Sequence, residues 1–214
     1  MRAIAVRGQT AAGRTVGLVP TMGALHEGHL QLIRAAALQN DITICSVFVN
    51  PTQFNDPADL ERYPRTPAPD REMLEKVGCD ILFMPEKAEI YPSGTVTDLK
   101  LGQVAEVLEG VHRPGHFVGV AQVVRRLFEI VEPGRAYFGS KDFQQVRVIE
   151  QMVRFLDMPT VVVRCPIIRE PDGLAMSSRN ILLSEEERKA AGQINIILEE
   201  ARRVALAQGP QAAR

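Results

Sequence analysis

The chain lacks most of the features that would place it in a specialised class. Its three cysteines, Cys45, Cys79 and Cys165, are widely separated and form no CxxC pair. They specify neither a disulfide framework nor a thiolate metal site, and each reads as a reduced structural thiol beside or within an apolar run. Charge of one sign is also missing. The 25 Lys and Arg residues against 26 Asp and Glu leave a net charge of −1, which excludes a general attraction to nucleic acid or to an anionic membrane. Any anionic substrate must be recognised locally. No apolar run approaches the roughly 18 residues of a transmembrane helix. Met1 to Arg7 lacks the hydrophobic region and cleavage site of a signal peptide, so a cytoplasmic location is expected. There is no internal repeat and no low-complexity block.

What is present is an ordinary globular composition: 45% apolar and 24% charged over 214 residues, enough for one sizeable core and a small second unit. Five apolar runs read as strands, at Thr15 to Val19, Ile42 to Val49, Asp80 to Met84, Arg135 to Phe138 and Thr160 to Cys165. Most are continuous rather than alternating, as in a parallel sheet covered on both faces. Helical patterns lie between them, at Gly28 to Leu38, Asp70 to Val77, Gly119 to Val131 and Asp142 to Leu156. The alternation predicts an α/β fold, a Rossmann-like parallel sheet with helices on both faces. Ligands of such sheets sit at the carboxyl ends of strands, where Pro20, Asn50 and Gly139 fall. A last helix is signalled by Ser184 with Glu187 three residues on, a capping box, followed by Ile194, Ile197, Leu198, Ala201 and Val204 on one face.

Five segments carry chemistry. Pro20-Thr21-Met22-Gly23-Ala24-Leu25-His26-Glu27-Gly28-His29 joins a strand to a helix start, where unpaired N–H groups and the macrodipole stabilise an anion. Its two histidines can donate hydrogen bonds to phosphate oxygens. Asn50-Pro51-Thr52-Gln53 exposes two amides, able to donate and to accept, after a strand. In Gly110 to Gly119, a glycine-rich loop, Arg113 and His116 can close over an anion. In Phe138 to Gln145, Lys141 suits a phosphate, Gln145 faces the same way one turn later, and Asp142 doubles as an N-cap candidate. In Arg169 to Asn180, Ser177, Ser178 and Arg179 make a compact donor set.

Each segment has a plainer reading as a cap, a polar loop or a turn. The histidine pairs His26/His29 and His112/His116 also have zinc-like spacing, but no cysteine or carboxylate stands at matching spacing, and no metal site is assigned. Five such segments in one α/β chain are harder to dismiss than any one of them.

Taken together, VPTMGALHEGH, FVNPTQF, RPGHFVGV, FGSKDFQQ and DGLAMSSRN closely resemble, in order, the motifs of the pantothenate synthetase (pantoate–β-alanine ligase) family. The stretch His26 to His29 also resembles the HIGH signature of the wider nucleotidyl-transferase superfamily, and Met176 to Arg179 its KMSKS loop. The resemblance implies ligation in two steps. Pantoate and ATP form pantoyl adenylate and pyrophosphate, and β-alanine then displaces AMP.

It also implies an ATP site made of Met22, Gly23, Ala24, Leu25, His26, Glu27, Gly28 and His29, together with Gly139, Ser140, Lys141, Asp142, Ile168, Met176, Ser177, Ser178 and Arg179. Gln53 and Gln145 would hold pantoate, Gln53 also touching β-alanine. His26, His29, Lys141, Ser177, Ser178 and Arg179 would be the catalytic set, aided by Mg²⁺ on the phosphates, and the protein would be a homodimer. A carboxylate nucleophile with a pKa of about 4 needs no general base, only alignment and charge stabilisation. His29 is a candidate proton donor in one half-reaction.

Gln122 stands where the family commonly has threonine, and Ser140 where glutamate is common. Relatives usually run longer, so the expected division is a nucleotide- and pantoate-binding domain over residues 1–168 and a partial C-terminal lid domain over 169–214. Two other readings share these motifs: a different adenylyl- or cytidylyl-transferase, and a nucleotide-binding module without turnover.

Overall fold

Residues 13–92, 99–209 and 211 are described in a computed structural model. Its sheet comprises β1 (Val16–Thr21), β2 (Ile42–Val47), β3 (Ile81–Phe83), β4 (Arg135–Gly139) and β5 (Val161–Cys165), all parallel, in the order β3-β2-β1-β4-β5. Around it lie α1 (Glu27–Ala37), α2 (Pro57–Arg62), α3 (Pro67–Lys76), α4 (Lys87–Ile90), α5 (Glu109–His112), α6 (His116–Val131), α7 (Phe143–Phe155) and α8 (Glu185–Gln208). This is the doubly wound arrangement expected from the alternating pattern.

Strand residues alternate between two cores. Val16, Leu18, Ile42, Ile44, Ala136 and Phe138 face a cluster completed by Phe117, Val124 and Phe128 of α6 and Val146, Ile149 and Met152 of α7. Val19, Cys45 and Tyr137 face the opposite cluster, with Leu32, Ile33 and Ala36 of α1 and Leu74 of α3. Fully burying such a side chain contributes about 1.5–3 kcal/mol, so the strands are fixed from both faces.

The chain winds from β1 outward to β3, then returns to the other side of β1 to place β4, which makes β1 and β4 the switch point. Their pairing is short: only Gly17 with Arg135 and Leu18 with Ala136 are in register. β1 stays paired with β2 as far as Thr21, and β4 with β5 as far as Gly139. Past Leu18 the two central strands therefore part, opening a crevice at their carboxyl ends, where ligands of such sheets bind. Pro20 is tolerated inside β1 because it lies beyond the shared β1–β4 pairs.

Several boundaries depart from the sequence pattern. α3 begins at Pro67 rather than Asp70, since prolines in a first turn remove N–H groups that would have no intrahelical partner. The glycine-rich segment before Gly119 is not a continuous loop. It contains α5, and α6 already starts at His116, after Gly115 at φ 80. α2 begins at an Asp56–Pro57 start, with the Asp56 carboxylate accepting from the Ala58 N–H at 2.8 Å.

After β5, Arg169 bridges to Ala175, and α8 follows with the expected Ser184/Glu187 capping box. Arg188 of α8 reaches back to Asp172 at 2.7 Å. Ile194, Ile197 and Leu198 stay exposed. The outermost parts of the two expected domains, residues 1–12, 210 and 212–214, lie outside the described residues.

Candidate active site

The crevice between β1 and β4 continues into a cleft of about 250 Å³. The sequence-predicted residues Met22, His26, Gly28, His29, Gln53, Gly139, Lys141, Asp142, Gln145, Ile168, Met176, Ser177, Ser178 and Arg179 all line it. Residues up to 157 positions apart in the chain thus share one wall, from Met22 to Arg179. Gly23, Ala24, Leu25, Glu27 and Ser140 do not. Glu27 turns to Arg34 and Gln31 of its own helix, and the amides of Ala24 and Leu25 are taken by a buried carboxylate, Asp70.

The histidine pair sits at the entry to α1. The His26 N–H donates to His29 Nδ1 at 3.3 Å, so the His29 side chain caps the helix from its first turn and its Nε2 carries the proton. The rings stand 4.1 Å apart. Burial, then the neighbouring His26 and Lys141, drive the His29 pKa down to about 3. Burial and Lys141 also lower His26, against an opposing pull from Glu170. Both rings are therefore neutral near neutral pH, and the pair offers dipoles rather than positive charge. Whatever His29 donates at neutral pH therefore comes from its neutral Nε2–H.

Positive charge in the wall comes instead from Arg113, Lys141 and Arg179, facing, among the described residues, a single carboxylate, Asp142. Lys141 Nζ lies 3.2 Å from Asp142. Asp142 occupies the N-cap position of α7, but its side chain makes no cap bond. A chain with a net charge of −1 thus concentrates positive charge where an anion would enter.

Also in the cleft wall, Gln53 is oriented by three contacts. Its Nε2 donates to Met22 Sδ at 3.0 Å, its Oε1 accepts from Asn50 Nδ2 at 3.3 Å, and its main-chain carbonyl accepts from His116 Nδ1–H at 2.7 Å. Asn50 is 1% exposed and is committed to the Gly119 carbonyl at 3.1 Å and the Tyr91 hydroxyl at 2.8 Å. It therefore builds the Gln53 turn instead of presenting an amide to a ligand. His116, buried and lowered by that burial, likewise supports Gln53. Its sequence partner His112 is exposed and absent from the cleft wall. Among the described residues no group of His, Cys, Asp or Glu has a metal-binding arrangement.

The Ser177–Arg179 turn is held at the cleft by α2 and its C-cap residue Tyr63. Arg179 Nη2 donates to Asp59 at 2.9 Å, its guanidinium lies 5.2 Å from the Tyr63 ring centre, and the Tyr63 hydroxyl is 3.3 Å from Ser178 Oγ. The Met176 N–H bonds to the Ile168 carbonyl at 2.9 Å, tying the turn to the end of β5. Asp59 and Tyr63 were missed by motif reading, and Asp70, in the Thr66 to Asp70 stretch that is less acidic than in some relatives, was not assigned as a metal ligand. The only local signals are the helix starts at Asp56-Pro57 and at Pro67, and those mark caps as readily as function.

A family model described as pantoate-beta-alanine ligase matches residues 1–214. The chain belongs to that family. A pantothenate synthetase of Porphyromonas gingivalis strain W83 is 57% identical over 202 residues, covering 94% of this chain and 72% of the relative. That of Aquifex aeolicus is 54% identical over 186 residues, covering 87% and 66%. The crystal structure of pantothenate synthetase from Thermus thermophilus superposes with a TM-score of 0.89 at 47% identity, covering 97% of this chain and 78% of that one. A pantoate-beta-alanine ligase from Francisella tularensis, solved with beta-gamma ATP and beta-alanine, gives 0.84 at 41% identity, covering 91% and 76%. The fold and ligase class of the pantoate–β-alanine ligases thus extend to this chain, which spans about two thirds to three quarters of these relatives' lengths.

Proposed function

We propose that the switch-point cleft carries both halves of the family's reaction, ATP-dependent ligation of pantoate to β-alanine through pantoyl adenylate. The observation that carries this reading is the meeting of four motif groups in one electropositive cleft: His26/His29, Gln53/Gln145, Gly139 to Asp142, and Met176 to Arg179.

In the first step the pantoate carboxylate attacks the α-phosphorus, an oxygen–phosphorus bond forms, and pyrophosphate leaves with the bonding pair. An ionised carboxylate needs no base, so the residues align and neutralise. Gln53, with its amide already oriented, and Gln145 hold pantoate. Lys141, Arg179 and the hydroxyls of Ser177 and Ser178 meet the phosphate oxygens, and the neutral rings of His26 and His29 add N–H dipoles. A single well-aimed donor is worth roughly 10² to 10³ in rate, so the set matters more than any member. In the second step the neutral β-alanine amine attacks the acyl carbon, a carbon–nitrogen bond forms, the bond from the acyl carbon to the phosphate oxygen breaks with its pair on AMP, and the proton of the amine passes to water.

The donor set fits Mg²⁺ held chiefly by phosphate oxygens and water, since Asp142 is the only carboxylate among the described residues of the wall. When bound, the ion would neutralise phosphate charge. The reading also includes a homodimer in the cytoplasm. No described helix is long and apolar enough to cross a membrane, and sedimentation of the full chain tests the assembly.

The deciding experiment pairs calorimetry of ATP binding with an assay of AMP formed from ATP, pantoate and β-alanine. Binding together with pantoate-dependent AMP formation is expected. Binding without turnover would leave a nucleotide-binding module, and pyrophosphate exchange independent of pantoate would indicate another nucleotidyl transferase. His29→Ala is expected to lower pantoate-dependent AMP formation at least tenfold with the fold intact.

A further inference from the structure

We propose that Asp70, which touches neither the cleft nor any expected substrate, is the positioning residue of the His26–His29 turn and thereby sets ATP affinity. The inference rests on the reading of the cleft as an ATP site.

Asp70 is 1% exposed and lies in the first turn of α3. An acid there would ordinarily offset its own helix dipole from the surface. Here both carboxylate oxygens point away to the loop between β1 and α1. Oδ2 accepts the Ala24 N–H at 3.0 Å, and Oδ1 accepts the Leu25 N–H at 2.8 Å and the Thr66 hydroxyl at 3.0 Å. Three donors converge on one group, and only a carboxylate can accept from all of them. An asparagine would turn its own NH₂ toward at least one.

The loop needs such a restraint. Gly23 has φ 82, and Ala24 has φ 50, a left-handed conformation that a residue with a Cβ adopts only when its surroundings impose it. On one side the Gly23 N–H is held by Thr21 Oγ1 at 3.2 Å, and on the other Ala24 and Leu25 are held by Asp70. The next residue is His26, whose N–H fixes His29. α3 is itself anchored by Leu74, which is 2% exposed in the core beside α1. The carboxylate thus transmits a rigid reference from α3 to both rings. Ala24 and Leu25 contribute to nucleotide binding through fixed backbone geometry, because their N–H groups are already engaged.

The test compares Asp70→Asn with Thr66→Ala, which removes one hydrogen bond to the same carboxylate without freeing a loop N–H. By calorimetry, Asp70→Asn is expected to weaken ATP binding tenfold or more. In steady-state rates it should lower kcat/KM for ATP by at least that factor, with the pantoate KM within about twofold because Asn50 and His116 anchor Gln53 separately. Thr66→Ala should lower thermal stability by the loss of one hydrogen bond yet bind ATP within about threefold of wild type. Wild-type ATP affinity in Asp70→Asn, or loss of affinity in both variants in proportion to lost stability, overturns the proposal.

Amide exchange on the wild-type protein gives a reading that does not depend on the variant folding. The Ala24 and Leu25 amides should be protected before ATP is added and unchanged by it. Protection that appears only with ATP would mean that they bind the nucleotide directly, and the proposal fails. Absence of ATP binding to the wild type would defeat the cleft reading itself, whereas normal binding in wild type and Asp70→Asn alike defeats only this inference.

Discussion

Acidification should destabilise this protein through His29 in particular. The ring is neutral in the fold, with a pKa lowered from 6.5 to about 3 by burial and by the proximity of His26 and Lys141. In the unfolded chain the imidazole takes up a proton near its ordinary value, and the folded ring refuses it until the pH is far lower. The unfolded state therefore binds more protons across this window, and stability falls as pH falls. The contribution is fully present above about pH 6.5 and is lost progressively toward pH 3.

Each pH unit in that window is worth about 1.4 kcal/mol, so lowering the pH from about 7 to about 5 should remove about 2 kcal/mol through this one ring. Urea denaturation of the wild type and of His29→Asn at the two pH values measures it. The wild type should lose about 2 kcal/mol more than the variant, since other titrating groups are common to both. Equal losses would mean that the ring is accessible to protons in the fold, and the account of His29 as a neutral donor would be wrong. The same account requires that its NMR ring signals show no titration between about pH 5 and pH 8.

Two further outcomes follow from particular contacts. A Cβ on Gly119 would meet the Thr52 carbonyl oxygen at 2.4 Å and the Gln53 nitrogen at 2.9 Å; Gly119→Ala should therefore cost about 1–3 kcal/mol in a thermal melt. It should also raise the KM for pantoate, with that for ATP nearly unchanged, in initial-rate measurements. On the reading that Arg179 meets a phosphate, its Nη2 bond to Asp59 competes with the nucleotide, and both side chains are partly exposed, so the pair is worth at most about 1 kcal/mol. Asp59→Asn should accordingly tighten ATP binding up to about fivefold by calorimetry; weaker binding would mean that Asp59 aims Arg179 instead of competing for it.

Much of the architecture was legible because it is encoded locally. Continuous apolar runs specify strands buried on both faces, helical spacing specifies α1, α6 and α7, and Ser184 with Glu187 announces α8. The five motif segments fall at strand ends and helix starts because such junctions expose backbone donors. Short helices were harder. α2, α4 and α5 have six residues or fewer, too few for a period to emerge, and they form because tertiary contacts hold them.

By itself, then, the sequence determined the alternating α/β order, the family motifs and the donor types available for phosphate and pantoate. Tertiary structure alone decided how those donors are used. The parting of β1 from β4 after Leu18 makes the crevice. Burial makes His29 a neutral dipole, and Asn50 becomes a brace for Gln53 because Gly119 and Tyr91 claim its amide. Asp70 closes on Ala24 and Leu25 from 46 and 45 residues away. These outcomes depend on which groups packing brings together and on how much water it removes, and neither quantity is a property of a local stretch of chain.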